Sequence, residues 1–420
     1  MNLFWSKRRV RNHKVVLASR TTLLISVIVP LSFARLADGS PVPKKPSESR
    51  FIVEQGLANL VDLVFLFDRL FTKSTTATSP DYLERVSEPS SKFYPDYLEY
   101  KQGRISRAEL VRRLPHVALI STSGSKNFYI SSVPSMYWRA RTEQRKNWFL
   151  DTDFAPDSVY SLYERIDKLT PLVATESAGT GAFVTAQPRD ETFDQILFHT
   201  RNFWGQVDEV LKAKRFPDLL LLWMGHNNLD WVTQVPPNER QRPEKQFAEI
   251  AKRFRQDYTR QMRRLISRAE RQDYKVAIVV FGLPFETGFK ARETAEALKA
   301  RNPKLYPYLE TGYRYFESSK PENRQNTIRL ERMFDRELKD MVRDLRDELG
   351  LYPNVRLQYS DALAKPLSDV AVLEAHDAWH LSPKGHNREA QAAFTALGPS
   401  LHFLGIELPD EGSRRSQLHQ

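Results

Sequence analysis

Five short apolar runs punctuate this chain: 116-HVALIS-121, 171-PLVATE-176, 218-DLLLLWMG-225, 275-KVAIVVFG-282 and 354-NVRLQYS-360. Stretches such as LLLLW and VAIVV are apolar at every position. A strand with one wet face alternates apolar and polar residues, so an unbroken apolar strand needs cover on both faces, as parallel strands between helices have. Amphipathic segments lie between the runs, at 156–169, 202–214, 244–271 and 325–350. This rhythm predicts an α/β fold, a three-layer α/β/α sandwich with a central parallel sheet of about five strands.

Composition adds bounds. The 420 residues are 41% hydrophobic and 27% charged, ordinary globular material for one large domain or two smaller ones. Cysteine is absent, which removes disulfides, thiolate metal sites and cysteine nucleophiles without choosing a redox compartment. The net charge is +11, but Lys7, Arg8, Arg9, Arg11, Lys14 and Arg20 supply six of those charges, and 11 − 6 leaves +5 beyond Arg20. That excess does not imply nucleic acid. The basic run 262-MRRLISRAERQ-272 has helical apolar spacing, so it reads as a solvated helix face rather than a phosphate track.

The same six cations precede the apolar run 21-TTLLISVIVPLSFA-34, and no acid appears before Asp38. Residues 1–37 therefore read as a signal peptide or, if uncleaved, an N-terminal membrane anchor. Either places the remainder outside the cytoplasm, secreted or periplasmic, and possibly membrane-associated through the N-terminus. A mitochondrial presequence fits less well, because the apolar core is compact. Residues 38–114 read as a linker and helical extension: a Pro/Ser/Lys-rich stretch, an apolar helix over 51–71, loop-like 72–80 and 87–95, and a short helix over 105–114 capped by Ser106. The 51–71 helix is expected to pack on the main domain, with an interfacial membrane role as the alternative. The main domain is expected over 115–408, with a flexible tail at 409–420.

In a parallel sheet, ligands bind beyond the carboxyl ends of the strands. Those positions hold 121-STSGS-125, 177-SAGTGA-182, 225-GHNN-228 and 376-HDAWHLSPKGH-386. A serine hydroxyl becomes nucleophilic beside a base, the base needs an orienting acceptor, and the developing oxyanion needs preorganised donors. Serines, glycines, an amide and an Asp-His pair make up that set.

In this order the blocks resemble the SGNH/GDSL hydrolase superfamily over roughly 115–404, with nothing recognised before it. That likeness implies a flavodoxin-like sandwich and an ester hydrolase that uses no cofactor. DAWHLSPKGH matches the family's Asp-x-x-His block, which implies Asp377 as orienting acid and His380 as general base. Gly225-His226-Asn227-Asn228 resembles its Gly-x-Asn-Asp, which implies Asn227 as an oxyanion donor, with Asn228 in place of the final acid. ESAGTGA aligns with the oxyanion-glycine block if Gly181 is that glycine. Gly179 is the rival, and Glu176 replaces the usual Asn. Ser121-Thr122-Ser123 stands where the family has Gly-Asp-Ser, making Ser123 the nucleophile and Ser125 its competitor.

His376 and His380 also sit four apart, as in zinc-protease helices, but Ser382 as N-cap and Pro383 at the first helical position start a helix only at 383. No metal is therefore expected. The expected reaction is cleavage of an acyl or acetyl ester through an acyl-serine intermediate. The substrate is a small-molecule, lipid or glycan ester, and the sequence does not choose among them. Transfer of the acyl group to an envelope polysaccharide, or non-catalytic glycan binding in the same cleft, are the alternatives. The aromatic and Arg-rich insertions 126–154 and 284–319 are read either as cleft walls or as loops packed on the sheet.

Overall fold

The computed structural model describes residues 74–122, 125, 147–151, 159–179, 182–185, 202–229, 243–283, 321–350, 352–364 and 381–408. The N-terminal apolar run, the 51–71 helix, residues 284–319 and the tail lie outside these residues, as does most of 126–154.

The fold is α/β. Its strands are β1 (Thr75–Thr78), β2 (His116–Thr122), β3 (Val173–Gly179), β4 (Leu219–Trp223), β5 (Val276–Phe281) and β6 (Val355–Ser360). They form one sheet in the order β1-β3-β2-β4-β5-β6, and every pair from β3 to β6 is parallel. All five strands expected from the apolar runs are present. A sixth, β1, is added antiparallel on the outer edge of β3, pairing Thr75 with Glu176 and Thr78 with Val173. Part of 72–80 is therefore strand rather than the expected loop. Its TTAT sequence carries no apolar run, yet threonine suits an extended edge, and β3 presents a free row of backbone groups to it.

The helices are α1 (Tyr82–Ser87), α2 (Tyr94–Lys101), α3 (Arg107–Arg113), α4 (Leu162–Asp167), α5 (Phe203–Lys212), α6 (Glu244–Glu270), α7 (Pro321–Glu348), α8 (Pro383–Ala396) and α9 (Gly398–Phe403). Successive strand residues point to opposite faces. Ala118, Ile120, Leu220, Leu222, Ile278 and Val280 pack with Phe254, Tyr258 and Met262 of α6 and Phe334 and Leu338 of α7. The intervening Val117, Leu119, Leu219, Leu221, Ala277 and Val279 pack on the other face with Leu162 and Ile166 of α4 and Ala390 and Ala393 of α8. This double cover explains runs that are apolar throughout. A small satellite core of Tyr82, Val86, Phe93, Leu110 and Leu114 ties α1 to α3, and Val173 of β3 packs against it.

Three helices start at side-chain caps. Ser106 accepts from Glu109 N–H at the start of α3, and Ser161 forms a reciprocal capping box with Glu164 at α4. Ser382 accepts from Gly385 N–H, with Pro383 as first residue of α8. In this strand order the chain reverses direction across the sheet between β2 and β4, and the crevice at that reversal is where α/β sheets bind ligands.

Candidate active site

Both strands at the reversal end in blocks singled out above. Ser121 and Thr122 are the last residues of β2, and Gly225–Asn228 follow β4. Ser123, Gly124, Gly181, Asp377 and His380 lie outside the described residues. Asn227 and the frame on which the others are mounted are described.

The end of β2 is gripped by one side chain. Gln206 of α5 accepts from Ser121 N–H and donates to Ser121 C=O, both at 3.0 Å, so its amide acts as a short extra strand where the ladder finishes. Ser121 Oγ lies 2.5 Å from Ser125 Oγ, which also accepts from Trp148 Nε1–H at 3.1 Å. Both hydroxyls are fully buried. The rival nucleophile Ser125 is thus sealed beneath Trp148, whose indole meets Trp223 and Phe281 edge-on at 5.6 and 6.3 Å. For Trp148 and its neighbours to 151, the expectation of loop packing holds: these residues are buried and line no open wall.

Trp148 is itself pinned. Its N–H donates to His386 Nδ1 of α8 at 3.1 Å, joining the 147–151 turn to the helix that follows the Asp-His block. Asn147 Oδ1 accepts from Phe149 and Leu150 N–H, and its Nδ2 donates to Glu176 Oε2 at 2.9 Å. Glu176 belongs to β3, which continues through Ser177, Ala178 and Gly179. These residues had been placed in a loop. Gly179 is instead the last strand residue, in register with Thr122.

The β4 block is fastened to the loop after β3. Asn227 Nδ2 donates to Ala182 C=O at 2.9 Å. Asn228 accepts from Val184 N–H at 2.9 Å and donates to Thr185 C=O at 2.8 Å, so its amide straps the loop along both edges of the chain. A carboxylate has no N–H to give Thr185, so an amide suits this position where a carboxylate would not. Gly225 has φ +130°, and a Cβ there would meet the Phe254 ring at 3.0 Å and Leu283 at 3.1 Å. Only glycine makes this turn without moving the core.

Next to Asn227, His226 meets Trp223 edge-on at 4.6 Å. Both its ring nitrogens are buried, and no described group hydrogen-bonds to either. Burial pushes its pKa down to about 3, so the ring is neutral at physiological pH. Glu389 of α8 is buried too, and desolvation raises its carboxyl to about 8. At the ends of β5 and β6, Tyr359 OH donates to Asp335 Oδ1 at 2.6 Å, and a Cβ on Gly282 would fall 2.5 Å from that oxygen. No group of three or more His, Cys, Asp or Glu side chains able to hold a metal occurs among the described residues.

Sequence reasoning missed Gln206, Trp148, the Asn147–Glu176 bond and the Asn228 strap. Nothing local signals them, since Gln206 lies 85 residues from Ser121 and Trp148 lies 238 from His386. Neither a family model nor a curated protein matches the chain. A solved crystal structure 12% identical in sequence aligns with 69% of this chain and 99% of its own, at a TM-score of 0.38.

Proposed function

We propose that the chain is an extracytoplasmic serine ester hydrolase of the SGNH type, acting on an acyl or acetyl ester. His380 takes the proton from Ser123, whose oxygen attacks the ester carbonyl, while Asp377 holds the imidazole tautomer and stabilises the imidazolium. The tetrahedral oxyanion is met by the N–H groups of Ser123 and Gly181 and by an Nδ2–H of Asn227. His380 then protonates the departing alcohol, and water hydrolyses the acyl-serine by the same base.

The observation that supports this reading best is the β2–β4 reversal. There the strand leading to Ser123 and the block carrying Asn227 are neighbours, and the Asn227 amide is tied to Ala182, one residue from Gly181. The burial of Ser125 favours Ser123 as nucleophile, because a hydroxyl sealed under Trp148 cannot meet a substrate. The start of α8 at Pro383 favours His380 as a loop residue over a zinc-binding helix.

Ser123→Ala is expected to lower turnover of a nitrophenyl acyl ester by about four orders of magnitude or more, and to abolish labelling by a fluorophosphonate. Retained turnover would sink the serine mechanism. The departure of Ser121-Thr122-Ser123 from Gly-Asp-Ser favours one other reading, a non-catalytic glycan-binding relative. The label separates the two, since only an activated serine reacts.

A further inference from the structure

The basic run at 262–272 forms a solvated face, with Arg263, Arg264 and Arg271 exposed and Met262, Leu265, Ile266 and Ala269 buried. Its arginines converge with lysines from the end of another helix on an open groove of about 770 Å³. Lys212 and Lys214 come from the end of α5 and the residues after it, and Arg263, Arg264, Arg268 and Arg271 from the last turns and cap of α6. The groove opens at the amino end of the sheet: α5 leads into β4 and α6 into β5, so both helices finish where their strands begin.

Two of the six cations are neutralised, Arg264 by Asp208 at 2.5 Å and Arg263 by Glu348 at 2.8 Å. Among the described residues, Lys212, Lys214, Arg268 and Arg271 make no ion pair. The Nε of Arg268 is buried and has no hydrogen-bond acceptor.

Helix dipoles do not account for this. A cation in a last turn gains about 0.3–1 kcal/mol from the dipole, which rationalises Lys212 and Arg268, one per helix. Lys214 and Arg271 lie beyond the helix ends. Gathering like charges costs stability unless an anion is held between them. Ammonium and guanidinium groups gathered along one open groove suit a discrete multivalent group, since both kinds of donor match phosphate oxygens.

We propose that this groove is a binding site for a phosphate-bearing anion of at least two negative charges, separate from the ester site at the opposite end of the sheet. The full-length protein is titrated with tripolyphosphate and, in a second arm, with phosphatidylglycerol vesicles against phosphatidylcholine vesicles. Tripolyphosphate binding that weakens as salt rises from 50 to 300 mM identifies a free anion as sufficient; binding to phosphatidylglycerol vesicles alone identifies a lipid headgroup. Replacing Lys212, Lys214, Arg268 and Arg271 together by Gln is expected to weaken either by about tenfold or more, with nitrophenyl ester turnover unchanged. The control replaces Lys101, Arg104, Lys339 and Arg346 by Gln, the same loss of charge from exposed positions elsewhere. Equal weakening in both variants, or no binding in either arm, overturns the proposal. Three of the four groove residues are exposed, so the variant is expected to fold, and a thermal melt verifies it.

Discussion

At the carboxyl ends of β2 and β4 the polar groups are neutral: the Gln206 amide on Ser121, the Ser121–Ser125 pair and the Asn227 and Asn228 amides are hydrogen-bonded, and His226 is a neutral ring with no described partner. At the amino ends of the same strands they are charged. Arg215 forks onto Asp218 at 2.8 Å and donates to Leu114 C=O, while Asp218 accepts from His116 N–H at 2.7 Å. Beyond them lies the basic groove. Neutral dipoles in a desolvated frame favour a charge that appears only during reaction, because they are already oriented and no fixed ion competes for them. Fixed cations around an open groove favour an anion that arrives already charged. The carboxyl end suits the proposed ester chemistry, the amino end the proposed capture of an anion.

The comparison breaks most visibly if substitutions at the two ends have the same consequence. Asn227→Ala is expected to lower kcat about 10²- to 10³-fold with a smaller change in KM, as loss of one oxyanion donor does. Its bond to Ala182 also fastens the chain there, so a thermal melt must accompany the kinetics. Full activity in Asn227→Ala would remove the amide from the oxyanion hole and reduce it to a loop fastener.

Glu389 tests how dry the carboxyl-end frame is. Its carboxyl is pushed up from 4.5 to about 8 by burial, with the Arg388 charge opposing weakly. The folded protein therefore keeps a proton that the unfolded chain releases above about pH 4.5, and stability falls as pH rises from there to about 8. Glu389→Gln fixes the neutral form. Its gain over the wild type should grow with pH inside that window, by a few kcal/mol in all, and then level off. Denaturant melts across pH measure it, and a gain independent of pH would mean that the carboxyl is solvated.

Ser125→Ala separates frame from reaction. It strips a buried partner from Trp148 Nε1 and from Ser121 Oγ, which should cost about 1–3 kcal/mol of stability. Ester turnover should stay within a few-fold of wild type once the protein is folded. A collapse of turnover in a well-folded Ser125→Ala protein would transfer the nucleophile to Ser125.

Features set by short-range physics were readable before the fold was known. β4 and β5 announce themselves because burial on both faces demands apolar residues at every position, and α3 and α8 start where Ser106 and Ser382 accept from the third residue on. What was missed depends on partners distant in sequence. β1 is four residues of TTAT, strand only because β3 offers it an edge. β3 runs on past Glu176 because Ser177, Ala178 and Gly179 pair with Ile120, Ser121 and Thr122 of β2, and Asn147 donates to the Glu176 carboxylate from 29 residues away, which no local pattern reveals. The groove depends on distant partners too: the arginines of 262–272 are solvated as their spacing indicates, but nothing local shows that Lys212 and Lys214 lie beside them.

The smallest expected effect falls on the helix start that led to His380. Ser382→Ala removes the acceptor for Gly385 N–H and should cost about 1 kcal/mol, whereas Ser382→Gly should cost only a few tenths. If the cap merely stabilises α8, turnover measured well below the melting temperature is equal in both variants. If it also sets where the chain leaves the loop, the proposed base two residues earlier shifts relative to Ser123, and kcat falls in Ser382→Ala more than in Ser382→Gly. A near-attack geometry tolerates little displacement, about 1 Å being enough to lose a hundredfold. A kcat difference between two folded variants that differ by less than 1 kcal/mol in stability would therefore report position rather than stability, and would tie the one well-described end of the Asp-His block to the reaction.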